Sequence, residues 1–333
     1  MNLIPTAAKL PILLSLFLIS LLCACQQPAP PTEPEQSHEQ LNTEDKQQSL
    51  SYSFKNPDSG QEFTILHAYS LYENFFEAVE KNPKVSPYDL YDDEVIQPVY
   101  EACFKDAELI DATFAVALHW TPPKSEYDNV KGLIGRMNTD QLNQVFEESL
   151  LKSSDMLPAD KETTVCIFPE NEDYPSEMIT FGSNEILVFY KKYDKYYKPG
   201  MAHEYHHSVW LEKHAKEDEY LTVFDHLALE GQAVMFESLV YPELNATQYA
   251  VDESFNNEYW NQIESHFDSI SGYDIHDMIQ GGANGLPEGY GYSEGYKIIR
   301  SYLELLPGMT VEEWTSKDPK EIFEDGNYMA NYQ

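Results

Sequence analysis

Two histidines four residues apart enclose a glutamate in His203-Glu204-Tyr205-His206-His207. On a helix, positions i and i+4 share one face. Both imidazoles then reach a single ion, and Glu204 stands beside an open coordination position. This is the chemistry of a metal-activated water: two neutral nitrogens hold Zn2+, the ion acidifies water and polarises a carbonyl, and Glu204 acts as general base and returns the proton to the leaving amine. A third protein ligand is required. His214 lies seven residues past His207, the wrong offset for the extended H-E-x-x-H-x-x-G-x-x-H pattern, and the glycine is missing. Glu230 is the better donor. It follows His207 by 23 residues, enough for a turn and an antiparallel return. Ala233 and Val234 put its carboxylate on an apolar stripe, where coordination removes the cost of burial. Glu237 on the same segment is the reserve ligand, or an outer or solvent-facing group. His226 and Asp225 are placed to orient a ligand imidazole, and His206 reads as a packing or hydrogen-bonding residue.

A tetrahedral oxyanion needs a donor besides the metal. Tyr292 and Tyr296 follow a glycine-rich loop over 280–291 and open a helix, which makes them the candidates. Arg300, four residues beyond Tyr296, can hold a substrate carboxylate or pair with an acid. Four lysines in Lys191–Lys198 stand out in an acidic chain, either as local counter-charge or as a positive rim.

These residues need elements to position them. Helical spacing of apolar residues predicts helices over Thr64–Lys81, Asp93–Ala107 and Thr139–Leu151. Thr163–Phe168 and Glu185–Tyr190 read as strands, the second preceded by a turn at Gly182-Ser183-Asn184. The motif helix is expected from Gly200 or Met201 to Ala215. The Glu230 helix follows over His226–Val240, with Asp225 as its N-cap and Leu227, Val234 and Leu239 on its apolar side. Further helices are expected near Asn256–Phe267 and Tyr292–Leu306, with Trp314, Ile322 and Phe323 folding back onto the core.

Three elements in order now support a resemblance. HExxH, the Glu-Gly-x-Ala element Glu230-Gly231-Gln232-Ala233, and the Gly-Tyr-x-x-Gly-Tyr element Gly291-Tyr292-Ser293-Glu294-Gly295-Tyr296 resemble the bacterial predicted Zn-dependent protease family known as domain of unknown function 2268. The resemblance spans roughly Gln61–Leu306. It implies an α+β, mainly α-helical, zincin or gluzincin-like fold with a small sheet beside the HExxH helix. It also implies one Zn2+ per chain on His203, His207 and Glu230, with Glu204 as base. In such folds an edge strand pairs with extended peptide, and Asn184–Phe189 is the candidate, with Asn184 as a substrate contact.

The rest of the chain bounds the setting. A net charge of −36 speaks against nucleic acid and against broad contact with anionic lipid. The apolar run Pro11–Leu22 ends in Leu22-Cys23-Ala24-Cys25, an export signal with a bacterial lipobox that predicts lipidation of Cys25. A polar, proline-rich tether runs to residue 51. The domain expectation is therefore signal 1–24, tether 25–51 and catalytic domain 52–333, the last divided into 52–198 and a metal-bearing 199–333. Cys103 and Cys166 remain, to pair or to stay as free thiols. The expectation is a zinc-dependent peptidase lipid-anchored to the bacterial cell membrane and facing away from the cytoplasm, acting on a peptide or protein. A non-catalytic solute- or peptide-binding lipoprotein is the competing reading.

Overall fold

Strand alternation organises the core. In β3 (Thr163–Pro169), Val165 and Ile167 face one side of the sheet while Cys166 and Phe168 face the other. β5 (Glu185–Tyr190) repeats the pattern, with Ile186 and Val188 on the first side and Leu187 and Phe189 on the second. Every residue of β5 is buried, as a central strand covered on both faces requires. Two cores result, one on each face of a single sheet.

The computed structural model describes residues 50–105, 121–170, 177–192, 195–215, 220–244, 251–282 and 284–333. Cys25, the export signal and most of the tether lie outside the described residues. Besides β3 and β5, the sheet holds β1 (Ser51–Lys55), β2 (Glu62–Leu66) and β4 (Glu177–Gly182), in the order β1-β2-β3-β5-β4. β2, β3 and β5 run parallel, and β1 and β4 are antiparallel edges. The fold is α+β and mainly helical, as expected.

The second face is covered by α1 (Tyr72–Lys81), α2 (Pro87–Tyr91) and α3 (Tyr100–Cys103), with α4 (Tyr127–Arg136) beside them. The cysteines do pair: Cys103 at the end of α3 is joined to Cys166 of β3. The first face receives α5 (Thr139–Met156), α6 (Tyr197–His214), α7 (Val223–Val240) and α10 (Tyr290–Leu305). α8 (Asn257–Glu264), α9 (Gly272–Ile279), α11 (Val311–Thr315) and α12 (Pro319–Asp325) close that side. Trp314 and Ile322 are buried there, as their apolar character predicted.

Several expectations are corrected. Thr64–Leu66 is strand rather than the first turn of a helix. Phe63 and Ile65 are both fully buried on the first face, so pairing with β3 overrides a run that also fits helical spacing. Asp93–Ala107 is not one helix. It is a π-turn over Asp92–Ile96, a 3-10 turn over Gln97–Val99 containing Pro98, and the short α3. β1, β4 and α9 were not foreseen, because each is only five to eight residues long, too short for a periodic pattern to stand out. Leu239 is 43% exposed and does not join the apolar side of α7.

Candidate metal centre

α6 begins at Tyr197, one turn earlier than expected, because Pro199 falls in the first turn, where its missing N–H costs nothing. The helix sets His203 and His207 on one face. α7 returns antiparallel after a short connection. Its N-cap is Thr222, whose hydroxyl accepts from Asp225 N while the Asp225 carboxylate accepts from Thr222 N. Asp225 is therefore the third residue of a capping box, not the N-cap. His226 Nδ1 lies 2.9 Å from Thr222 O. Neither residue orients a ligand imidazole, since the cap occupies both.

Glu230 projects from α7 between the two imidazoles. His203 Nε2 is 3.0 Å from Glu230 Oε2, His207 Nε2 is 3.2 Å from the same oxygen, and the two Nε2 atoms are 3.1 Å apart. Among the described residues these three form the group able to hold a metal ion. Donors about 2.0–2.1 Å from zinc at tetrahedral angles stand roughly 3.3 Å apart, so the triangle has the size of one tetrahedral face. Its chemistry fits as well. Two imidazole lone pairs and a carboxylate oxygen converge, a cluster of acceptors that a cation satisfies better than the few protons available.

A second carboxylate sits behind the first. Glu237 Oε2 lies 3.4 Å from His203 Nδ1, and the side chain is buried. It thus holds the distal nitrogen and aims Nε2 at the centre, the outer-carboxylate option left open from sequence. Burial pushes the Glu237 carboxyl up to about 7. Burial also disfavours charge on His203, but hydrogen bonds with Glu230 and Glu237 outweigh it and hold that imidazole well above its ordinary value. Glu230 is opposed by burial too, yet the neighbouring imidazoles keep it well below the usual carboxylate range. His206 points elsewhere: it is fully buried, stacks on Trp314 and sits 3.2 Å from Thr315 Oγ1. His214 ends α6 beside Trp210, away from the three donors.

Glu204 is half-buried on the adjoining face of α6, and burial raises its carboxyl. Its Oε2 accepts from Thr180 N at 2.8 Å and from Thr180 Oγ1 at 3.0 Å. Thr180 belongs to β4, so the outer strand lies directly against the motif helix. This overturns the choice of Asn184–Phe189 as the exposed edge. β5 is paired on both sides, with β3 and with β4, and has no free edge to offer. Asn184 is likewise not a substrate contact. It is buried in the β4–β5 turn at φ 63, its carbonyl accepts from Thr164 N, and its Oδ1 accepts from Thr163 Oγ1.

α10 supplies the tyrosines, and glycine brings it close. A Cβ on Gly231 would lie 2.3 Å from the Gly295 carbonyl carbon, and one on Gly295 would lie 2.1 Å from Leu227 O. Gly231 and Gly295, one from each downstream motif, thus let α7 and α10 touch, whereas Gly291 sits against Ile279 of α9. With the backbones touching, the Tyr292 ring sits 6.1 Å from the His203 ring, and its hydroxyl accepts from Gln280 Nε2 at 2.9 Å. Gln280 carried no signal in the sequence, because its role depends on the unforeseen α9. Tyr296 lies one turn on, beneath the Arg300 guanidinium at 5.4 Å. Arg300 itself is bound by both nitrogens to Glu253, at 2.8 and 2.6 Å, so its charge goes to a neighbouring acid and not to a substrate anchor. In the lysine-rich stretch, Lys198 pairs with Glu148 and Lys195 lies over Tyr196.

The model of a family described as "Predicted Zn-dependent protease (DUF2268)" matches residues 142–324, more than half of the chain. The uncharacterized protein YjaZ of Bacillus subtilis (strain 168) is 26% identical over 181 residues, covering 50% of this chain and 67% of that protein. No solved structure matches.

Proposed function

Because the chain belongs to the DUF2268 family of predicted Zn-dependent proteases, we propose that it is a zinc-dependent peptidase in which His203, His207 and Glu230 hold one ion and Glu204 is the general base. The observation that carries this reading is the triangle of donor atoms at 3.0, 3.1 and 3.2 Å with Glu204 on the same helix. Zinc, when bound, supplies Lewis acidity and a water that is nucleophilic at neutral pH. The chain's own residues supply the rest. Glu204 takes a proton from the attacking water and passes it to the departing amine. A carboxyl raised by burial is suited to both transfers, because its affinity for the proton lies nearer neutrality. The Tyr292 hydroxyl is the donor for the developing oxyanion. Glu237 keeps the His203 ring in register. β4, the outer strand, receives the substrate in extended form, and its contact with Glu204 brings a peptide laid along it next to the base.

The same proposal includes the setting. Cys25 carries the lipid, the following polar segment is a tether, and the domain from residue 52 works outside the cytoplasm on peptides or proteins. No helix among the described residues is long and apolar enough to cross a membrane.

The test is metal analysis and turnover together. Purified protein should hold one zinc per chain and cleave members of a quenched-fluorescence peptide library, and Glu204→Gln should keep the metal and lose cleavage. Protein that binds no zinc, or a Glu204→Gln variant as active as its parent, would end the proposal. Peptide binding without turnover in the unchanged protein would favour the non-catalytic alternative.

A further inference from the structure

Glu204 is held by one residue of the outer strand. Thr180 gives it two donors: the backbone N–H donates to Oε2 at 2.8 Å, and the single hydroxyl proton is shared between Oε2 at 3.0 Å and the Glu204 carbonyl oxygen at 2.8 Å. Oε1 takes no hydrogen bond among the described residues. The strand is shaped for this contact. Thr180 pairs with Ile186, but Gly182 pairs with Glu185, so two steps on β4 oppose one on β5. That is a β-bulge, a device that locally re-aims a strand's groups. The donated N–H is one that a regular inner strand would spend on its neighbour, and here it goes to a side chain on α6.

We propose that Thr180 is a positioning residue for Glu204. Its N–H and hydroxyl clamp Oε2, which leaves Oε1 to exchange the proton and fixes the plane of the carboxylate toward the three-donor centre. The proposal rests on Glu204 being the base. The physical gain is preorganisation. A glutamate on a helix has three rotatable bonds, and an unrestrained carboxylate spends most of its time out of line for proton transfer. Two donors on one oxygen remove that freedom without touching the oxygen that reacts. Threonine suits the position on two counts: β-branching favours the strand, and the hydroxyl reaches the helix.

The test compares Thr180→Val, which keeps shape and backbone N–H but removes the hydroxyl, with Thr180→Ser, which restores it, and with Glu204→Gln. Two readouts are taken. One is kcat and KM on the peptide pool. The other is the infrared carboxylate bands of metal-free and zinc-loaded protein, with the Glu204 bands assigned by their disappearance in Glu204→Gln. Thr180→Val is expected to lower kcat about tenfold to a hundredfold, the effect of one hydrogen bond to a charged group. KM should stay within about twofold, because the clamp acts through the base and not on bound substrate. The Glu204 bands should move, and Thr180→Ser should restore both rate and bands. Unmoved bands in Thr180→Val, or a rate loss that serine does not repair, would overturn the role of Thr180 while an inactive Glu204→Gln left the base assignment standing. A fully active Glu204→Gln would remove the base assignment and this role with it, even if the bands moved.

Discussion

The two faces of the sheet are built on opposite principles. The second face packs Phe75, Tyr91, Val95, Phe104 and Phe168 into an apolar core, and the Cys103–Cys166 bond ties α3 to its central strand. Among its polar groups, the buried Tyr72 and Tyr91 hydroxyls pair at 2.9 Å. The first face buries Glu237, His206, Glu294 and Lys297 and brings three further ionisable groups within 3.2 Å of one another. Burying acids and imidazoles beside an apolar sheet is costly unless each finds a partner. The difference is a division of character: one face is an apolar core tied by a disulfide, and the other carries buried ionisable groups, among them the three donors of the candidate metal centre.

Substitutions can sharpen or break that contrast. The largest effect belongs on the first face. Glu204→Gln should reduce turnover about 10²–10⁴-fold while leaving the melting temperature unchanged or raised, since it removes an acid that burial disfavours. Turnover assays beside calorimetry check this, and a drop in both activity and stability would break the division. Next, the second face should respond in the opposite sense. Replacing Cys103 and Cys166 by alanine opens a loop of 63 residues and should cost ~2–4 kcal/mol in urea unfolding, with zinc content per folded chain unchanged. Loss of zinc in that variant would show that the faces are coupled.

Gly295→Ala comes third. A Cβ there meets Leu227 O at 2.1 Å, so α10 must move from α7. The expected cost is ~1–3 kcal/mol, and the move should carry Tyr292 away from the centre, lowering kcat more than it raises KM. Smallest is Glu237→Gln, which should weaken zinc binding about 10–100-fold in competition with a chelator. It also has a pH signature in metal-free protein. The folded Glu237 carboxyl sits at about 7 against an ordinary 4.5, so the folded state binds the proton more tightly than the unfolded chain. Its contribution therefore makes stability fall as pH rises between those values. Urea titrations of the metal-free variant across that window should show a shallower fall. An unchanged slope would place the pH dependence elsewhere.

Local chemistry alone determined a good part of this protein. The i, i+4 spacing of His203 and His207 places them on one helical face, whatever surrounds the helix. The apolar runs of β3 and β5 are strands because β-branched and aromatic residues there are bounded by turn residues. The motif glycines and Glu230 were visible as residues, although their contacts were not. Tertiary structure alone decided what meets what. It made β4 the outer strand and so gave Glu204 to Thr180, set Glu237 behind His203, spent Arg300 on Glu253, and joined Cys103 to Cys166. Each of these contacts spans at least 24 residues of chain. Covalent geometry fixes periodicity within an element, whereas the choice between distant partners depends on which surfaces pack together, and no single segment carries that information.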